Sequence, residues 1–216
     1  MEEQNTTQDI LNQVHESTPD SLHPVLDYII KNGKLIAAGI AAIILIAGGA
    51  AGFKYMNQQQ LITAQSEMGS ILIKYSGEEQ VKALADFEKD APSSMKPAVQ
   101  LALAKSLMEI SRFADAKAAW AAVGKSSPEM APVAGLGEAK CLILDNKAAE
   151  ALPILEALKN SAGEEFAATI GRVQAEAAEQ AGKFQLAIDA YQGLLASSPQ
   201  EAPYFKIKIN ELKAKL

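Results

Sequence analysis

The chain has 216 residues, 49% of them hydrophobic, with a formal net charge of −6 and a single cysteine. Without a concentrated run of Lys and Arg it lacks the basic footprint that holds nucleic acid phosphates, which excludes that class of partner. The lone Cys141 excludes an intramolecular disulfide framework and suits a small buried apolar position.

Residues 1–34 carry six acids and two bases, and the first 21 are polar and free of aromatic rings, the composition of a disordered segment. Leu22, Val25, Leu26, Ile29 and Ile30 then follow the i, i+3, i+4, i+7, i+8 spacing of one helix face, with Pro24 in the first turn, where proline is tolerated. The expected element is a short amphipathic helix lying along a membrane surface. The only two histidines, His15 and His23, stand in this tail with no cysteine beside them, so no metal site is assigned.

From Leu35 to Phe53 there are 19 consecutive residues without a charge. As a helix rising about 1.5 Å per residue this segment measures about 28 Å, close to the hydrocarbon core of a bilayer at about 30 Å. It carries no polar stripe of the kind a soluble core helix shows. A cleaved signal peptide would open on a short basic region and hold a shorter apolar run. This run instead follows a mostly acidic stretch, so the expectation is an uncleaved single-pass anchor, residues 35–53. Lys31 and Lys34 flank its N-terminal end and Lys54 the other, which places the N-terminus in the cytoplasm and residues 54–216 on the far face. Tyr28 and Tyr55 lie near the two ends, where aromatic rings favour the interface. Gly48 and Gly52 form a GxxxG pair, a packing face for another membrane protein or for a second copy of this chain.

Residues 55–92 read as one helical pair, with a long helix near 56–75 and a shorter one near 78–89, ended by Pro92. A repeat follows. Ala116, Ala151 and Ala187 are spaced 35 and 36 residues apart. Four residues after each stands a large side chain (Trp120, Leu155, Tyr191), and three further on another apolar one (Val123, Leu158, Leu194). Three residues before each alanine stand Phe113, Ala148 and Phe184, and twelve before it Ala104, Ala139 and Ala175. Twelve after it come the breakers Pro128, Gly163 and Pro199. This is the pattern of paired antiparallel helices: small residues where two helices cross, large ones between neighbouring pairs, and a breaker closing each unit. Ser111-Arg112, Asn146-Lys147 and Gly182-Lys183 supply the turns, Gly182 having the form of a helix C-cap. Pro153, inside the second helix of the middle unit, predicts a kink or a local loosening. The expected fold class is all-α, one transmembrane helix followed by an α-solenoid with repeats at 98–128, 133–163 and 169–199 and a capping helix at 203–214.

No GxSxG, P-loop, HExxH or CxxC motif occurs, and no catalytic residue, cofactor or metal ligand is assigned. Glu78-Glu79 and Glu164-Glu165 stand at expected helix starts, where acids favour the positive end of the helix dipole. The chain reads as a binding module and not an enzyme.

The spacing of alanines, aromatics and prolines resembles the tetratricopeptide repeat, best in the first unit at Ala104, Leu107, Phe113, Ala116, Trp120 and Pro128. The whole layout, with its Lys31-Asn32-Gly33-Lys34 lead-in, aromatic exit and divergent repeats, resembles the YfgM-like proteins, ancillary subunits of the SecYEG translocon. That resemblance implies an inner-membrane protein with a cytoplasmic N-terminus and a periplasmic repeat domain. It implies protein partners: SecYEG, a membrane-bound periplasmic chaperone or prolyl isomerase, and emerging secreted chains. A scaffold for another envelope assembly, in division, cell-wall synthesis or pilus building, is the alternative that this architecture also serves. Placed on the repeat's usual groove-facing positions, the candidate binding residues are Leu101, Lys105 and Met108, then Leu136, Lys140 and Ile143, then Arg172, Glu176 and Glu179. Such a wall, apolar with bases passing into acids, suits an extended or partly unfolded segment. The basic and Asn clamp by which some repeat proteins grip a terminal carboxylate is missing, its positions holding Ala98, Leu101, Ala102, Val133, Leu136 and Gly137.

Overall fold

A computed structural model describes the backbone from residue 33 to residue 216, and side-chain surroundings continuously from residue 52. The expected tail, its amphipathic helix, both histidines, Gly48 and most of the apolar segment 35–53 lie outside the residues so described. Among those that are, no helix is long and apolar enough to cross a membrane, and none of the backbone forms a strand. The chain divides into two compact units, Met1–Gln59 and Gln60–Leu216.

Among the described residues nine α-helices follow one another: α1 Gly33–Lys74, α2 Gly77–Asp90, α3 Lys96–Glu109, α4 Phe113–Ser126, α5 Ala131–Leu144, α6 Ala148–Ser161, α7 Ala167–Gln180, α8 Phe184–Ser197 and α9 Ala202–Lys213. The architecture from α2 onward is an all-α solenoid, each helix packed on the next. Three short 3-10 turns, Pro128–Met130, Glu164–Phe166 and Pro199–Glu201, join one hairpin to the next. They begin at or just after the breakers: Pro128 and Pro199 hold the preceding Ser127 and Ser198 out of the helical region (φ −142° and −138°), and Gly163 is itself extended (ψ 163°).

Burial explains the alanine pattern. Ala104, Ala139 and Ala175 on the first helix of each hairpin, and Ala116, Ala151 and Ala187 on the second, are all 0% exposed. At these crossings a methyl is all the space allows, since interiors pack at crystal-like density. Trp120, Leu155 and Tyr191 fill the room between helices one turn on, with Val123, Leu158 and Leu194 behind them. Cys141 stands where the other hairpins have Ser106 and Ala177, all three buried. Burial, with Glu138 nearby, pushes its thiol up to about 11, so it is an inert small side chain here.

The first pair is built on the same register but with different contents. Gln80 and Met68 stand where the later hairpins have crossing alanines. Gln80 is 8% exposed; its amide donates to the carbonyl oxygens of Tyr75 (2.8 Å) and Leu72 (3.3 Å) at the end of α1 and accepts from Ser106 Oγ at 2.7 Å. A polar bolt thus joins α1, α2 and α3 where elsewhere there is only close apolar packing, and every buried atom of it is satisfied. Pro153 lies on the exposed side of α6, and the helix continues through it from Ala148 to Ser161.

The three hairpin turns are alike in backbone. Ser111, Asn146 and Gly182 have φ of 61°, 59° and 69°. In each, the next N–H reaches back five residues (Arg112 to Leu107, Lys147 to Leu142, Lys183 to Ala178, 2.8–2.9 Å), and the turn residue's own N–H reaches back three. This double bond closes the helix end when one residue adopts the left-handed conformation, which a Cβ disfavours. Ser111→Gly is therefore expected to stabilise the fold by about 1 kcal/mol, a rise of roughly 2–4 °C in Tm. Asn146→Gly should gain less, because Asn tolerates that conformation. Thermal unfolding followed by circular dichroism checks both, and a fall in Tm for Ser111→Gly would show that strain there is negligible.

The inner wall as candidate functional site

The first helices of the hairpins, α3, α5 and α7, carry all nine candidate binding residues, and the structure sorts them into three rows. The row Met108, Ile143, Glu179 is engaged with the large residues twelve positions later in the same hairpin. Trp120 Nε1 donates to Met108 Sδ at 3.3 Å, Ile143 and Leu155 share one apolar cluster, and Tyr191 donates its hydroxyl to Glu179 at 2.5 Å. Ile143 is only 3% exposed, so it is a core residue and not part of an open wall. Glu179 also receives Lys208 of α9 at 2.9 Å, which raises the lysine's pKa. Burial first, then the hydrogen bond to this carboxylate, pushes the Tyr191 phenol upward, so it stays a donor.

The row Leu101, Leu136, Arg172 faces the 3-10 turn that follows each hairpin. Leu101 and Met130 pack on the first hairpin's cluster, and Leu136 and Phe166 on the second's. Arg172 meets Glu201 at 2.6 Å and donates to Ser198 Oγ at 2.9 Å. Apolar residues on the first two clusters and an ion pair in the third hairpin thus occupy equivalent positions at this joint. These Arg172 bonds had no signal in any single repeat; only comparing positions 130, 166 and 201 with 101, 136 and 172 exposes the pairing.

The third row, Lys105, Lys140 and Glu176, projects outward. Lys140 and Glu176, at equivalent positions on α5 and α7, form an ion pair at 2.6 Å. Lys105 is exposed, and no ion pair among the described residues includes it. Sequence reasoning named Ala98 and Val133 only as empty clamp positions and missed the row they belong to: Ile62 well inside α1, then Ala98, Val133, Thr169 and Tyr204 at the starts of α3, α5, α7 and α9, at intervals of 36, 35, 36 and 35 residues, all exposed. Four of the five are apolar, and three of those are large, at 50%, 37% and 52% exposure for Ile62, Val133 and Tyr204. Their periodicity is the repeat's own, which is the signal that could have found them.

Two open hollows lie on this wall. One of about 550 Å3 is bordered by Ile143, Glu176, Glu179, Tyr191, Tyr204 and Lys208 among others. The other, of about 450 Å3, lies between α1 and the start of α3. No group of acidic, His or Cys side chains that could hold a metal occurs among the described residues. Of the expected membrane packing pair, Gly52 has no heavy atom within 4 Å of an added Cβ, and Gly48 lies outside the described side chains.

This arrangement of hairpins is similar to that of two solved structures. "MamA 41-end from Desulfovibrio magneticus RS-1" superposes with a TM-score of 0.55 at 17% identity, over 72% of this chain and 88% of that one. The "MamA RS-1 ArsTM double mutant" gives a TM-score of 0.54 at 17% identity, over 72% and 96%. At that identity the likeness is one of fold. No curated protein matches by sequence. The tetratricopeptide repeat-like domain matches residues 27–214, nearly the whole described length, and the chain belongs to that family.

Proposed function

We propose that the chain is a protein-binding module tethered to the bacterial inner membrane by residues 35–53, with its repeats in the periplasm. There it serves as an ancillary subunit of the SecYEG translocon, assisting emerging secreted proteins together with a membrane-bound chaperone or prolyl isomerase. The observation that carries the binding reading is the exposed, mostly apolar row at positions 62, 98, 133, 169 and 204, one residue from each successive first helix. Such a row can follow an extended chain over many residues without demanding a particular sequence, as a helper of varied clients requires. The apolar run 35–53 supports the tether, which raises the local concentration of the module beside membrane partners without tight intrinsic affinity. The layout shared with YfgM-like proteins supports the translocon as the partner.

The test is purification of the tagged, detergent-solubilised full chain with identification of its stoichiometric partners, alongside a compartment-specific reporter fused after Leu216. Recovery of SecYEG with a periplasmic chaperone, and a reporter active only in the periplasm, are the expected results. Stoichiometric division, cell-wall or pilus components would transfer the protein to that machine, and a reporter active only in the cytoplasm would overturn the proposal.

A further inference from the structure

We infer that the strongest-binding end of this wall is its N-terminal end, between α1 and α3, and that it takes an extended peptide with an apolar residue followed three positions later by a carboxylate. The inference rests on the protein-binding reading of the inner wall and adds the place and the chemistry of the ligand.

The C-terminal half of the wall is already satisfied by its own side chains. Lys140 holds Glu176 at 2.6 Å, Glu179 holds Lys208 at 2.9 Å and the Tyr191 hydroxyl, and Arg172 is held by Glu201 and Ser198. A ligand seeking these charges must first displace partners that belong to the same chain. At the other end the hollow of about 450 Å3 is bordered by Leu61, Met68, Gly69, Leu72, Met95 and Ala98. An added Cβ on Gly69 would meet no heavy atom within 4 Å, so the hollow is open above that backbone. The two methionines are side chains that repack readily around different apolar guests.

Lys105 supplies the charge. Its equivalents on the neighbouring first helices are Gly69 on α1 and Lys140 on α5, so neither flank offers the carboxylate that Glu176 offers Lys140. The nearest matching position carries a like charge, and although Glu109 stands one turn on along α3, no ion pair among the described residues includes Lys105, which leaves the cation for an anion from outside. Ala98, bordering the hollow, and Lys105 stand seven residues apart on one face of α3, about 10 Å along the axis. In a polyproline II segment, residues three apart lie on the same side and about 9 Å apart, which sets the spacing of the two anchors.

Fluorescence anisotropy with the full chain in detergent and a fluorescein-labelled peptide Gly-Leu-Pro-Pro-Asp-Gly tests this. Changing the peptide's Leu to Ser should weaken binding about tenfold or more, and Asp to Asn about threefold. Lys105→Glu should invert the preference so that the Asn peptide binds better than the Asp peptide, while Lys159→Glu on α6 leaves both unchanged. Gly69→Leu, filling open space on a helix, should weaken both peptides about tenfold with unchanged circular dichroism. Failure of the Leu-Pro-Pro-Asp peptide to bind at millimolar concentration, or equal binding by wild type, Lys105→Glu and Gly69→Leu, would overturn the inference. If a stoichiometric partner still co-purifies with those two variants, the binding-module reading survives and only the location and ligand chemistry fall.

Discussion

Trp120→Ala is expected to remove about 3–5 kcal/mol of stability, a large part of the 5–15 kcal/mol typical of a folded domain. The indole is 7% exposed and lies between the first and second full hairpins. Its ring covers Gly137 of α5 so closely that a Cβ there would stand 2.3 Å from Cδ2, and its N–H is taken by Met108 Sδ. Truncation to alanine leaves a void that α4 and α5 cannot close, because those helices already approach closely where an added Cβ on Gly124 would stand 3.3 Å from the Ala134 methyl. The same geometry makes a sharper forecast for the facing position. Gly137→Ala alone should cost about 1–3 kcal/mol by overpacking, and nearly nothing in the Trp120→Ala background, where the obstructing ring is gone. Thermal or urea unfolding of the four proteins in this cycle measures the coupling. An equal cost of Gly137→Ala in both backgrounds would show that the ring is not what demands glycine.

Phe205→Ala is expected to cost about as much, about 3–5 kcal/mol, but in one place only. Phe205 is 1% exposed, with its ring centroid 5.7 Å from those of both Tyr191 and Tyr204, and with Ile209 and Leu212 it forms the buried face of α9. Besides the Lys208–Glu179 pair and the edge-on contact of Tyr204 with Tyr191, that face is what fastens the helix, and a partly exposed ion pair contributes little by itself. Because each hairpin of a solenoid touches only its neighbours, the loss should be felt at the end of the array. Hydrogen exchange should show α9 amides losing protection at once while α3 to α6 keep theirs. Uniform loss of protection along the chain would mean that the array unfolds as one body and that the one-dimensional view is wrong.

The helical class and the hairpin register were legible because crossing sites tolerate so little volume. Ala104, Ala116 and their equivalents in the next two hairpins have room for little more than a methyl, so they print a period on the sequence. The first pair resisted because Gln80 and Met68 hold those sites: a crossing made by hydrogen bonds to Ser106 and to the end of α1 leaves no alanine to find. The wall was legible in position and not in state. Groove-facing residues can be counted off a helix, but whether each is open depends on a side chain twelve or about thirty residues away. Glu179 looks like an acidic wall residue until Tyr191 and Lys208 are placed on it, and Arg172 like a basic one until Glu201 is. Lys105, by contrast, keeps the exposure its place on the helix suggests.

The change of pairing from one hairpin to the next, Met108 with Trp120, Ile143 with Leu155 and Glu179 with Tyr191, has a consequence for how such a chain can change over time. A recombination that joined α5 to α8 would set the Tyr191 hydroxyl against Ile143 and leave it without an acceptor, while α7 joined to α6 would face a carboxylate with Leu155. Either graft strands a polar group in an apolar seam. Duplication, loss or transplantation therefore has to move both helices together with the short turn behind them, and any surviving insertion breakpoints in relatives should fall between hairpins.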